Sequence, residues 1–264
     1  MDANNPIGPD GKTYHLQTRK GDLAPHCLLV GNPERAQMIA ETLFTDSELV
    51  GNHRGLKSYT GYTDSRKIMK ISVVTTGMGS GSTSIVMPEA HVSGAHRFIR
   101  VGSCGAVWKE AKPGDSVICT GAVRLDGASE AWVPIEYPAI ADYRVVGALV
   151  EAAELLELPH HVGIGATTTC FVEGQARPDS NGYLSARLQA QHDELVARNL
   201  LFYSMEEATI FTWCTTHGKN IWAGAVDAVF ANRITNDFES RGEGEAAKIA
   251  IRALGLLSQK YPIG

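Results

Sequence analysis

The sequence predicts an α/β fold: a single domain with a central mixed β-sheet flanked by helices. Strand-like apolar runs alternate with helical patterns along the whole chain, the arrangement of a mostly parallel sheet covered by helices. No internal repeat, low-complexity tract or Gly/Ser/Pro-rich linker divides the 264 residues, a length at which one α/β domain buries a substantial core. The domain is therefore expected to span residues 1–264, with 1–13 as a flexible N-terminal extension.

The elements follow in order. HCLLVG 26–31 is a short continuous apolar run and reads as a strand. PERAQMIAETLF 33–44 reads as a helix, with Pro33 suited to its first turn. KSYTGYTDSRKIMKISVVTTG 57–77 is a β-rich pair, and STSIVMPEAHVSGA 82–95 contains the next helix. RFIRVG 97–102 and DSVICTGAVR 115–124 are strands, followed by a long helix, DYRVVGALVEAAELL 142–156, and a strand, HHVGIGATTT 160–169. SMEEATIFTWCTTHG and GEGEAAKIAIRALGLLSQK are helical by periodicity, with strand-like KNIWAGAVDAVFAN between them.

Composition excludes several classes of function. With 24 Lys and Arg against 29 Asp and Glu, the chain has no long-range field to recruit nucleic acid, so any anion it binds is small and held locally. Five scattered cysteines without a CxxC pair argue against a zinc site or a disulfide framework and fit a reducing cytoplasm. The polar opening MDANNPIGPDGKTYHL has no leader pattern, and no run approaches a membrane span. A cytoplasmic protein is expected.

In open α/β sheets, ligands sit at the carboxyl ends of strands, and that is where unusual residues collect. In HCLLVGNPERAQMI, Gly31 permits close backbone approach and Arg35 projects from the first helical turn, beside free helix N-terminal amides that suit an anion. In RFIRVGSCGAV 97–107, Arg100 and the small-residue stretch Gly102-Ser103 end another strand. His53-Arg54 stands in a polar turn. Singly, each has an ordinary explanation: a turn, a strand end with an ion pair, a solvated arginine. Likewise, GQARPD alone is a polar loop.

Together, HCLLVGNPERAQMI, FIRVGSCGA, AVRLDGAS 122–129, CFVEGQARPD 170–179 and YSMEEAT 203–209 resemble the hexameric single-domain nucleoside phosphorylase family, in its uridine phosphorylase branch. The resemblance runs from about Tyr14 to the C-terminal helix. It implies reversible phosphorolysis of uridine to uracil and ribose 1-phosphate, with inorganic phosphate as co-substrate and neither metal nor organic cofactor. The implied phosphate ligands are Gly31, Arg35, Arg100 and Ser103, with Arg54 lent across a dimer interface. For the nucleobase they are Phe171, Gln175, Arg177 and Arg233, and for ribose Met205 and Glu206, with His15 reaching the neighbouring subunit's 5′-hydroxyl. Arg100, Gln175 and Arg177 are expected to carry catalysis, and the implied partner is a second copy of the chain, in dimers assembled into a hexamer.

A glutamine can both donate to and accept from the imide edge of uracil, while a guanidinium two residues later faces O4, so the Gln175–Arg177 spacing suits that base. Purine enzymes of the family place an aspartate where Phe230 and Ala231 stand here. Asp227 lies on the wrong side of an alternating strand to replace it unless the register shifts by an odd step. The chain departs from the family at Ser204, where a glutamate is expected, and Glu207 is expected to face a different direction and not replace it. Gly55 stands where relatives place a potassium-binding glutamate, so no specific potassium site is expected. Alternatives are a purine nucleoside phosphorylase or nucleosidase on the same fold, and a non-catalytic nucleoside-binding or storage protein.

Overall fold

β1 (His26–Val30) is buried along its whole length, as an interior parallel strand must be. Its side chains alternate between two cores: Cys27 and Leu29 pack into one, Leu28 and Val30 into the other. That alternation sets up a sheet with helices on both faces. The computed structural model describes residues 3, 4 and 6–263.

After β1 come α1 (Pro33–Leu43), β2 (Thr45–His53), β3 (Leu56–Tyr62), β4 (Lys70–Thr75) and α2 (Ser80–Val92). Next are β5 (Arg97–Ala106), β6 (Ser116–Leu125), β7 (Ala139–Ile140), α3 (Tyr143–Leu155), β8 (His160–Thr168) and α4 (Ala186–Ala197). β9 (Phe202–Ser204), α5 (Glu207–His217), β10 (Trp222–Asn232), β11 (Asp237–Phe238) and α6 (Glu243–Lys260) complete the chain. α2 and α5 cover one face of the sheet; α1, α3 and α6 cover the other.

The sheet is mixed, as expected. β1 runs parallel to β4 and β5, and β3 and β2 extend it antiparallel beyond β4. On the other side β5 pairs parallel with β10, β10 antiparallel with β6, β6 parallel with β8, and β8 parallel with β9. β9 then returns antiparallel to β5, so these five strands close into a ring. The carboxyl ends of β1, β4 and β5 and the last residues of β9 and β10 gather at one rim.

Two local features depart from the sequence reading. α4 has so few apolar positions that none of its residues is fully buried; Leu195 and Val196 pack onto a small cluster with Leu200 and Tyr203, and His192 stacks on the Tyr203 ring. Its start is fixed instead by Ser185, whose hydroxyl accepts from the Leu188 amide at 3.3 Å. TDSELVGNH, mostly polar apart from Leu49 and Val50, forms the edge strand β2, and its hairpin to β3 turns through Arg54 and Gly55, with φ of 53° and 78°. Two successive positive φ values are the signature of a tight hairpin turn, which accounts conformationally for a glycine at 55.

His26 has a consequence for stability. It is buried at the start of β1, its Nδ1 lacks a partner, and burial together with the Arg97 charge pushes its pKa down to about 4. A depressed histidine contributes stability that is complete above its unfolded value of 6.5 and is lost as pH falls toward 4. The loss approaches roughly 3 kcal/mol at full protonation. His26→Leu is expected to shrink the difference in melting temperature between about pH 7 and about pH 5; an unchanged difference would mean that His26 is not the group that titrates.

Candidate active site

A cavity of about 1160 Å3 opens at the rim where the strands end. It is lined at one end by Gly31, Arg35, Arg100 and Ser103, and at the other by Phe171, Gln175, Arg177 and Arg233, with Met205 and Glu206 also in its wall. Segments far apart in the chain thus bring together ten of the expected site residues.

The Arg35–Arg100 end is held by ion pairs. Asn32 caps α1 by accepting from the Glu34 amide at 2.8 Å, and Pro33 opens the helix. This turn aims the buried Arg35 across to α6, where its Nε donates to Glu243 at 2.8 Å; Nη1 donates to the Val101 carbonyl at 3.1 Å. Arg100 lies on the α2/α5 face of β5, with Phe98 and Cys104. It is 5 % exposed and meets three carboxylates: Glu206 at 2.7 Å, Glu207 at 2.8 Å and Asp227 at 3.4 Å. Burial alone would lower its pKa, but the three acids outweigh that and hold it above its ordinary value.

Gly102 makes this packing possible. A Cβ there would lie 1.8 Å from Asp227 Oδ1 and 2.5 Å from Arg100 Nη2, so only glycine leaves room for both groups. β10 pairs Asp227 directly with Gly102, and the strand then bulges between Val229 and Ala231. The odd register step therefore exists, but it lies beyond Asp227; the carboxylate faces Arg100 from behind and does not line the cavity, whereas Phe230 and Ala231 do.

Glu206 stands where β9 passes into α5. Its Oε1 accepts from the Gly79 amide at 2.6 Å and its Oε2 meets Arg100 Nη2, leaving a lone pair on each oxygen able to accept a further hydrogen bond. The expectation for Glu207 is corrected. It faces the same cluster, accepting from the Ser204 hydroxyl and from Arg100 Nε. The sharp step from strand to helix makes positions 204 and 207 neighbours, three residues apart, so the serine hands its contact to a carboxylate one turn on.

The other end is cationic and contains no acid partner. Arg177 donates through Nη1 to Gln175 Oε1 at 2.7 Å and to the Phe171 carbonyl at 2.6 Å, and its guanidinium lies 4.2 Å from the Phe171 ring centre. Arg233 donates to the Gln175 and Ala176 carbonyls, so it also fixes the loop that carries Gln175. Among the described residues neither arginine has an ion pair, and burial plus the Arg233 charge push the Arg177 pKa down to about 10. Gly105 leaves a path for both: its Cβ would sit 3.4 Å from Arg177 Nη2 and 3.5 Å from Arg233 Cδ. With the amide group of Gln175 beside them, two unpaired guanidinium groups suit a planar ligand that gains negative charge.

His15 and Arg54 do not line this cavity. They meet at the surface, where Arg54 lies over the Tyr14 ring at 5.5 Å, Tyr14 stacks edge-on with His15 and His53, and His15 Nδ1 contacts Glu89 at 2.7 Å. Sequence reasoning missed Glu243 and Met78 and misplaced Glu207. Glu243 carried only a weak signal, an acid in the first turn of a helix, and nothing in the sequence pointed to its pairing with Arg35.

Comparison with known proteins identifies the family. The family model described as the phosphorylase superfamily matches residues 25–256. A uridine phosphorylase of Thermococcus kodakarensis is 41 % identical over 259 residues, covering 98 % of this chain and 91 % of that protein. One of Klebsiella aerogenes is 36 % identical over 249 residues, 91 % of this chain and 96 % of that protein. A guanosine phosphorylase of Halorubrum lacusprofundi is 33 % identical over 230 residues, 86 % of each chain. With a match across nearly its whole length and relatives that are nucleoside phosphorylases, this chain belongs to the phosphorylase superfamily.

Proposed function

We propose that the chain is a uridine phosphorylase, catalysing reversible phosphorolysis of uridine to uracil and ribose 1-phosphate. The observation that carries this reading is a single cavity with buried arginines at one end and an acid-free Gln175–Arg177–Arg233 cluster at the other. In the reading, Gly31, Arg35, Arg100 and Ser103 hold phosphate, Met205 and Glu206 hold ribose, and Phe171, Gln175, Arg177 and Arg233 hold the base.

A phosphate oxygen attacks C1′ as the N-glycosidic bond breaks, and the bonding electrons leave with the base nitrogen. Positive charge develops on the sugar, facing the phosphate, while the departing uracil anion is stabilised by Arg177 and the Gln175 amide. The proton that hydrogen phosphate gives up balances the one that uracil takes. No metal or organic cofactor is assigned a step.

The surface group Tyr14, His15, His53 and Arg54 supports a shared site, in which one copy lends Arg54 to the phosphate and His15 to the 5′-hydroxyl of its neighbour, within dimers built into a hexamer. In this reading the enzyme is cytoplasmic and serves pyrimidine salvage, which fits its free cysteines, four of them buried; no helix among the described residues is long and apolar enough to cross a membrane.

The test is cleavage of uridine, thymidine, inosine and guanosine, each with and without phosphate. Uridine turnover only with phosphate is expected; rapid uracil release without it would replace phosphorolysis by hydrolysis. The guanosine phosphorylase relative supports the purine reading, and preference for inosine or guanosine would establish that reading in place of the pyrimidine one.

A further inference from the structure

Behind the cavity wall, two acids share a space that one charge fills better than two. Glu207 and Asp227 are completely buried, and neither lines the cavity. Glu207 is satisfied as an anion, accepting from Arg100 Nε and from the Ser204 hydroxyl. Both oxygens of Asp227 lack a donor, and its nearest cationic contact is Arg100 at 3.4 Å. Asp227 Oδ1 and Glu207 Oε1 nevertheless converge on one atom, Arg100 Nε, at 3.4 Å and 2.8 Å. Two carboxylates can bond only if one carries a proton, and the one without donors of its own is the one to carry it.

Charge leads to the same assignment. Fully ionised, Glu206, Glu207 and Asp227 would leave an excess of two negative charges around Arg100, beside the place where a phosphate dianion is to bind. Burial and then the Glu207 charge drive the Asp227 pKa well up; burial would also raise Glu207, but Arg100 and the bond from Asp227 bring it below its ordinary value. The other titratable groups facing the pair are Cys104 from β5 and Cys119 from β6. Both are thiols that burial keeps neutral.

We propose that Asp227 and Glu207 are a positioning pair that shares one proton: neutral Asp227 donates to Glu207, and the Glu207 carboxylate fixes Arg100 Nε in register for phosphate. The inference rests on the reading of Arg100 as a phosphate ligand. Neither acid touches substrate. They orient the guanidinium without placing a further negative charge behind it, and loss of the shared proton at high pH weakens phosphate binding by repulsion.

The test combines infrared spectroscopy of the ligand-free protein near neutral pH with phosphate kinetics. Wild type minus Asp227→Asn is expected to show loss of one carboxylic-acid carbonyl stretch. The side-chain amide of D227N keeps a neutral donor toward Glu207, so phosphate KM in that variant should stay within about twofold of wild type, whereas Asp227→Ala should raise it about tenfold. The alkaline fall in kcat/KM for phosphate should be present in wild type and reduced in D227N. Absence of the acid band, or a D227N phosphate KM raised as far as about tenfold, overturns the proposal. If D227A does not fold, the band and the alkaline limb in D227N decide alone. Failure of the phosphorylase reading looks different: wild-type turnover would be indifferent to phosphate while the acid band persisted, which retains the shared proton and overturns the role in phosphate positioning.

Discussion

Arg100→Ala is expected to lower kcat/KM for phosphate about a thousandfold, because it removes a buried, preorganised cation from the proposed phosphate site. The loss should not be confined to catalysis. Glu206, Glu207 and Asp227 all face this guanidinium, and removing it leaves buried acids without a counter-charge. Breaking such a cluster from one side costs roughly 3–5 kcal/mol. Part of that cost is relieved when the remaining carboxylates take up protons, so the variant's deficit relative to wild type should shrink as pH is lowered. Denaturant unfolding at two pH values checks this. A deficit that grows in acid would show that the three acids do not depend on Arg100 for their charge balance.

Gly102→Ala is expected to damage both stability and phosphate binding, although it adds one methyl group. The new carbon would overlap Asp227 Oδ1 and crowd Arg100 Nη2, and neither neighbour is the free end of a flexible side chain. Overpacking of this kind costs roughly 3 kcal/mol. The clash is specific, so Asp227→Gly in the Gly102→Ala background should restore part of the stability, giving a coupling well above the few tenths of a kcal/mol seen for independent sites. Strictly additive effects would mean that the strain is taken up elsewhere in β5.

The cavity-lining residues were readable because they occur in short motifs at strand ends, where backbone direction is fixed by the strand before them. The rule that ligands meet at the carboxyl ends of strands pointed to Gly31, Arg35, Arg100 and Ser103, whereas Gln175 and Arg177, in a stretch that alone reads as a polar loop, came only from the resemblance. Their supporting ion pairs were not readable. Glu243 reaches Arg35 through the packing of α6 against α1, and Asp227 reaches Arg100 through a parallel register that alternation alone does not specify. Glu207 was misplaced for a related reason: helical spacing was applied at a position where the chain is still leaving a strand, and the bend there brings Ser204 and Glu207 into contact. α4 buries almost nothing, so it has no apolar stripe to read.

The closed circuit of β5, β10, β6, β8 and β9 bears on how the protein folds. Arg100 and Ser103 belong to its first member and Arg233 follows directly on β10, so their mutual placement requires partners more than a hundred residues apart to find one another before local structure is of any use. Closing so long a loop is entropically slow, and contacts of this range put folding at the slow end of the scale. Ligand affinity should accordingly emerge late during refolding, together with the final tertiary signal, while far-ultraviolet helicity recovers well ahead of both.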